Sequence, residues 1–364
     1  MSSDYNFRNV DKDFFYRYLN ANAPTGYEYT GQKVWVDYVK KYVDDIIIDP
    51  YGSAIGVINK ESDFKVVIEA HADEISWGVN YITKDGYIYV ARNGGSDYDI
   101  APGMRGYVHL DNGEKILGVF GWAPVHIKRK PEDYKIPSIE NVVFDCGCSS
   151  DKEVLENGIH PGSIITFEAD LRSVNDGRYY ICRAFDNRAG GVIIAEVARK
   201  LKENSKNLPF GLYVCNCVQE EVGLRGAMMV SQRIKPNIAL CTDVCHDTQS
   251  PFYNKIKQSD IKCGSGPVVG LSPSIHINLR KLIQSVAAEN NIDIQLEFLS
   301  GTTGTDTDAF TYNNGGTPSA LMSLPLKYMH TTVEMINSKD LDSVIDLMYN
   351  TLLRIDRNFK VTYF

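Results

Sequence analysis

The chain has 364 residues, 43% hydrophobic and 23% charged, with 38 basic against 46 acidic side chains and a formal net charge of −8. That length allows a full α/β core with material left for a second unit, and the ordinary composition excludes disordered, collagen-like and coiled-coil classes. The negative balance gives none of the basic footprint that phosphate neutralisation requires, so no nucleic-acid partner is expected.

The opening run Met1-Ser-Ser-Asp-Tyr-Asn-Phe-Arg8 lacks the basic-then-apolar pattern of a signal peptide, and no apolar run reaches bilayer-spanning length. A cytoplasmic protein with no membrane partner is the expectation. Helical spacing predicts helices over 11–22 and 28–43, the second with Val34, Val36, Tyr38, Val39, Tyr42 and Val43 clustered. Two short strands follow around Pro50-Tyr51-Gly52, then a buried strand over 64–70 that ends at His71.

From about 76 to 172 the pattern changes to short strands separated by turn signals such as Asp85-Gly86, Asn93-Gly94-Gly95, Pro102-Gly103 and Asp111-Asn112-Gly113. A small β-rich domain is predicted there, inserted into an α/β pattern that resumes near Tyr180. Asp186-Asn187 stand at the N-cap of a helix over 188–203. Strands over 212–218 and 237–242, a helix over about 274–289, a strand over 292–298, a Gly/Thr-rich loop, a strand over 319–323 and a helix over 339–356 complete the chain. This alternation predicts an α/β domain of residues 1–75 and 173–364, with a mostly parallel sheet and helices on both faces. The eight cysteines fall mostly in apolar strand-like segments and read as reduced core thiols, the rival being a disulfide or zinc–thiolate site at Cys241 and Cys245.

Acids and histidines recur at predicted strand ends, where open α/β sheets bind ligands: His71-Ala72-Asp73-Glu74, Asp186-Asn187, Glu220-Glu221, Asp243 and His330. Carboxylates gathered without a cation raise one another's pKa, and a pair of metal ions resolves the conflict. Imidazole nitrogen and carboxylate oxygen without thiolate suit zinc, cobalt or manganese. Two histidines and three carboxylates give each of two ions three ligands only if one carboxylate bridges. On an extended segment Glu220 and Glu221 point to opposite sides, which weakens a glycoside-hydrolase reading that needs two carboxyls facing each other. Glu74 reads as a solvated loop acid, and His246 and Asp247 as surface-loop residues.

The runs Glu69-Ala-His-Ala-Asp-Glu-Ile75, Arg183-Ala-Phe-Asp-Asn-Arg-Ala-Gly-Gly191, Gln219-Glu-Glu-Val-Gly-Leu-Arg-Gly-Ala227, Thr242-Asp-Val244 and Pro325-Leu-Lys-Tyr-Met-His330 together resemble the M42 family of metallo-aminopeptidases, over almost the whole chain. The resemblance implies that His71, Asp186 and Asp243 hold one divalent ion and that Asp186, Glu221 and His330 hold the other, with zinc or cobalt expected. Glu220 is then the general base and Asp73 the residue that orients His71. It further implies release of N-terminal residues from short peptides with a free N-terminus, a dimerisation role for residues 76–172, and a homo-oligomer, a dodecamer built from dimers. Where the family's insert carries two prolines before a histidine, Gly121-Trp-Ala-Pro-Val-His126 keeps only Pro124. The alternatives are a related two-metal deacylase or carboxypeptidase and, behind these, a glycoside hydrolase or a non-catalytic assembly protein. His276 and the 300–308 loop are left without a role.

Overall fold

The computed structural model describes residues 7–130 and 135–364. The chain divides into two compact units, one of residues 1–74, 170–329 and 333–364 and the other of Ile75–Ala169 with the short segment His330–Thr332.

The larger unit is built on one mixed sheet. Nine strands lie side by side in the order Asp45–Ile48, Ala54–Ile58, Gly211–Cys217, Lys65–His71, Ile238–His246, Ser319–Lys327, Glu334–Asn337, Tyr179–Cys182 and Arg172–Val174. Strands Val268–Leu271 and Gln295–Phe298 branch from the side of Ser319–Lys327. The α/β class and the inserted β unit are as read from the sequence. Along the nine-strand order parallel pairing runs through the four central strands, Gly211–Cys217 through Ser319–Lys327, and both flanks are antiparallel, while the two branch strands pair in parallel with each other. The central strands are buried along nearly their whole length, which explains their continuous apolar runs.

The longest helix, Phe185–Glu203, packs against Lys65–His71 and Ile238–His246. Its regular part starts after Asp186 and Asn187, whose φ/ψ are non-helical and which are joined by a cis peptide. Asn187 Oδ1 accepts from Gly190 N at 3.1 Å, so the side chain caps the helix as the sequence predicts. A Cβ at Gly191 would stand 2.6 Å from Tyr18 Oη and 3.0 Å from Asn216 Oδ1, so only glycine admits the close approach of helix and sheet there. The carbonyl of Gly191 also accepts from Trp35 Nε1 at 2.9 Å, which fastens the fully buried Trp35 to this helix. Strand Ile238–His246 runs four residues past the expected end at Thr242, because it stays paired with Ser319–Lys327 as far as His246↔Leu326. Asp243 therefore sits inside a strand rather than at its end.

The second unit holds a closed antiparallel barrel of Ser76–Ile82, Ile88–Asn93, Val143–Asp145, Lys115–Gly121, Arg105–His109 and Ile164–Phe167. Closure removes free edges, and its core is aromatic: Phe120 lies 5.5 Å from Trp77, 5.0 Å from Phe144 and 5.3 Å from Phe167 between ring centroids. Six cysteines are buried, but Cys146 and Cys148 are only half-buried, so the expectation of core thiols fails for these two. Cys241 and Cys245 lie four residues apart on one extended strand, too far along it to be joined. Among the described residues no helix is long and apolar enough to cross a membrane.

Truncating Phe120 to Ala is expected to cost about 3–5 kcal/mol of barrel stability, read as a lower urea midpoint with an unchanged slope. An unaltered midpoint would remove the aromatic core from this account.

Candidate metal centre

The strand Lys65–His71 delivers His71, 1% exposed, to the end of the parallel core. Its Nε2 lies 3.2 Å from Asp186 Oδ1, 3.8 Å from Glu220 Oε2 and 3.9 Å from Asp243 Oδ1. His71, Asp186 and Asp243 offer ligand atoms within 4.8 Å of one another, and so do His71, Glu220 and Glu221. His71 is common to both groups, so four of the five ligands named from the sequence, His71, Asp186, Glu221 and Asp243, come together with Glu220.

The donor chemistry fits divalent cations. Asp243 and Glu220 are both pushed well above the usual carboxylate range, chiefly by burial and also by neighbouring carboxylates, against the lowering effect of His71 and, for Asp243, of the Val244 N–H. One imidazole among so many buried acids leaves excess negative charge that cations of the zinc and cobalt type would balance through oxygen and nitrogen.

Asp73 is fully buried and serves three segments. Its carboxylate accepts Glu220 N at 2.9 Å, Glu221 N at 3.2 Å and Thr25 Oγ1 at 2.9 Å, and its Oδ1 lies 3.4 Å from His71 Nδ1. These bonds overturn the expectation that Glu220 and Glu221 diverge. The strand ends at Cys217, Gln219 turns into the left-handed region at φ 58°, and both glutamates bring carboxylate oxygens within 4.8 Å of His71.

Glu74 also departs from expectation. It is buried at 1% exposure, with Oε2 2.7 Å from Arg183 Nε and Oε1 3.7 Å from Arg188 Nη1, and it accepts Ala23 N at 2.7 Å. Burial alone would raise its pKa, but the two guanidiniums outweigh that and hold the carboxyl below its usual range. The Arg188 guanidinium goes on to the carbonyls of Tyr18 and Ala21. A bridge from Pro24 to Glu74 joins the N-terminal segment to the same loop. Asp247, read as a surface residue, is buried at 1% exposure and accepts Gln249 N and Cys263 N at 2.8 Å each, which closes the loop after the strand. His246 is exposed and bonds Tyr253 Oη at 3.1 Å, while His276 stacks on Tyr363 at 4.6 Å. His109 bonds Thr166 and His160 bonds Asp111, both within the barrel unit.

Sequence reasoning missed four residues. Glu69, two positions before His71, is fully buried and forms a group with Cys217 and Asp306 whose ligand atoms lie within 4.8 Å. Burial raises the Asp306 pKa strongly and the neighbouring Glu69 adds to it, and Glu69 is itself pushed up to about 7, first by burial. Asp306 lies in the 300–308 loop region and opens the helix Asp306–Thr311, a position that reads as ordinary capping. Glu28 accepts Gly26 N at 2.7 Å and Gln219 N at 3.2 Å, and Glu334 accepts Asp186 N at 3.1 Å. A glutamate inside the apolar run Val66–Ala70 was the one signal of this tier in the sequence. Gly95, of the Asn93-Gly-Gly run, lies against His330: a Cβ there would stand 2.5 Å from Nδ1.

The profile of the M42 glutamyl aminopeptidase family matches residues 52–347. The chain is 32% identical to the lysyl aminopeptidase of Pyrococcus furiosus, over 93% of this chain and 95% of that one. Its fold matches the TET aminopeptidase of a marine-sediment thaumarchaeal archaeon with a TM-score of 0.90 and 27% identity, over 96% and 97% of the two chains. A TET1 peptidase of Pyrococcus horikoshii that can assemble into a tetrahedron or a large octahedral shell matches with a TM-score of 0.83 and 26% identity, over 94% and 99%.

Replacing Glu74 by Gln leaves two buried guanidiniums without their counter-charge, and a loss of about 3–5 kcal/mol is expected. Guanidinium-induced unfolding of parent and variant measures it, and equal midpoints would show that Glu74 is dispensable.

Proposed function

The chain belongs to the M42 family of glutamyl aminopeptidases, and from that premise we propose a two-metal aminopeptidase that releases the N-terminal residue of short peptides with Glu220 as general base. The observation that carries the reading is the pair of donor groups, His71 with Asp186 and Asp243 and His71 with Glu220 and Glu221, which gather four of the five expected ligands in one place. In this reading His71, Asp186 and Asp243 hold one ion and Asp186, Glu221 and His330 the other, zinc or cobalt by donor type. When bound, such ions attract a free α-amine, polarise a carbonyl and lower the pKa of a water.

The chain's own groups do the rest. Asp73, beside His71 Nδ1, favours the tautomer that leaves Nε2 free as a donor to the ion and makes that nitrogen more basic. The same carboxylate, by accepting Glu220 N and Glu221 N, fixes the backbone from which two adjacent glutamates take different tasks. Glu220 takes the proton of the attacking water on one carboxylate oxygen and delivers it to the leaving amine as the peptide bond breaks. Burial and nearby acids favour its protonated form after the first transfer, which suits a group that must hold a proton between two steps. The Glu28 and Asp73 bonds to the 219–221 backbone keep that oxygen in place.

Residues 76–172 are proposed to mediate dimerisation, and the dimers to assemble into a dodecamer in the cytoplasm. Support comes from the fold shared with TET peptidases, of which the Pyrococcus horikoshii protein can assemble into a tetrahedron or a large octahedral shell. Such a shell admits extended peptides and keeps folded proteins out.

Hydrolysis of aminoacyl-anilides and short peptides by the metal-loaded protein tests the reading. Glu220→Gln is expected to keep its metals and lose about 10²–10⁴-fold in kcat; unchanged turnover would assign the proton transfer to another group. Peptides with an acetylated N-terminus should resist cleavage, and cleavage at equal rates would refute the exopeptidase assignment. Bound metal measured by mass spectrometry should approach two ions per chain, and sedimentation should give a species of twelve chains rather than a monomer.

A further inference from the structure

The half-buried cysteines form a pair of their own. Cys146 and Cys148 follow the strand Val143–Asp145, and their Sγ atoms lie 3.7 Å apart. Both thiols lie against the rim of the barrel core. Gly147 between them takes φ +80°, with open space where a Cβ would stand. That bend brings the two side chains together.

The backbone around them is fixed. Asp145 Oδ1 accepts Gly147 N at 2.8 Å, Glu153 Oε2 accepts Ser149 N at 2.7 Å, and Ser150 Oγ caps the helix Asp151–Glu156 through Glu153 N at 3.2 Å. The carbonyl of Cys148 is seated so close to Gly86 that a Cβ there would stand 2.4 Å from it. Each sulfur need travel only part of the distance from 3.7 Å to a bond of about 2.05 Å, a side-chain rotation in a turn already formed.

The two thiols are not equivalent. Asn157 Nδ2 donates to Cys148 Sγ at 3.3 Å, a partner that Cys146 lacks. Cys146 is pushed up to about 12, first by burial and then by the hydrogen bond to Cys148. Cys148 is therefore the thiol that attacks and Cys146 the one that resolves. The other six cysteines are buried, so a small oxidant in water meets this pair first.

We infer that Cys146 and Cys148 are a dithiol–disulfide site in the barrel unit that exchanges with low-molecular-weight disulfides. Cys148 thiolate attacks one sulfur of the reagent and expels one thiol, leaving a mixed disulfide. Cys146, losing its proton, then attacks Cys148 Sγ and expels the second thiol. One disulfide is reduced to two thiols as the protein pair is oxidised to one internal bond. The site makes no use of the metal centre and stands apart from the peptidase reading.

The test incubates the full-length, metal-loaded protein in mixtures of reduced and oxidised glutathione, alkylates remaining thiols, and maps the peptide that spans 146–148 by mass spectrometry. The expected product is one internal bond there, with the other six cysteines alkylated only after unfolding. In Cys146→Ser the product should become a glutathione adduct on Cys148, and in Cys148→Ser no internal bond should form. Circular dichroism shows that each variant keeps its fold. Two separate glutathione adducts in the parent, or both thiols still open to alkylation in the most oxidising mixture, would overturn the inference. The parent protein alone decides between these outcomes if a variant fails to fold.

Discussion

One buried carboxylate, Asp73, ties together the parts on which the centre depends. It receives the backbone of Glu220 and Glu221, the hydroxyl of Thr25, and stands beside His71 Nδ1. Those contacts join the end of the strand Lys65–His71, the loop after Gly211–Cys217 and the N-terminal segment. A fully buried carboxylate is costly unless hydrogen-bonded, and here the groups that satisfy it include the backbone of both glutamates of the proposed centre.

The next residue does the opposite job. Asp73 faces the centre, while Glu74 turns to Arg183 and Arg188 and, through Arg188, to the carbonyls of Tyr18 and Ala21. Arg183 precedes Asp186 by three residues and Arg188 follows it by two. The ion cluster therefore fixes the stretch that carries Asp186. Behind His71, Glu69 and Asp306 form a second polar tier with Cys217.

The barrel unit answers to other constraints. Its aromatic core and closed sheet give it a self-contained fold, and the Cys146-Gly-Cys turn lies wholly within it. The family likeness spans both units, since the profile runs from residue 52 to residue 347. Aminopeptidase activity belongs to the relatives by name and to this chain by family membership.

The sequence by itself determined the α/β class, the inserted β unit and the acids and histidines that meet at the centre. Continuous apolar strands, turn signals and strand-end donors are local patterns, and local patterns survive without knowledge of neighbours. Tertiary structure decided what depends on pairing and burial. Asp243 lies within a strand because its neighbour strand is long enough to keep pairing with it. Glu220 and Glu221 converge because a left-handed turn at Gln219 and one distant carboxylate redirect the backbone. Glu74 and Asp247 are buried because partners far along the chain satisfy them, and Cys146 and Cys148 are reachable because the barrel rim leaves them half-covered. A residue's identity states what it can bond to, but which partner reaches it is fixed only when the sheet closes and excludes water.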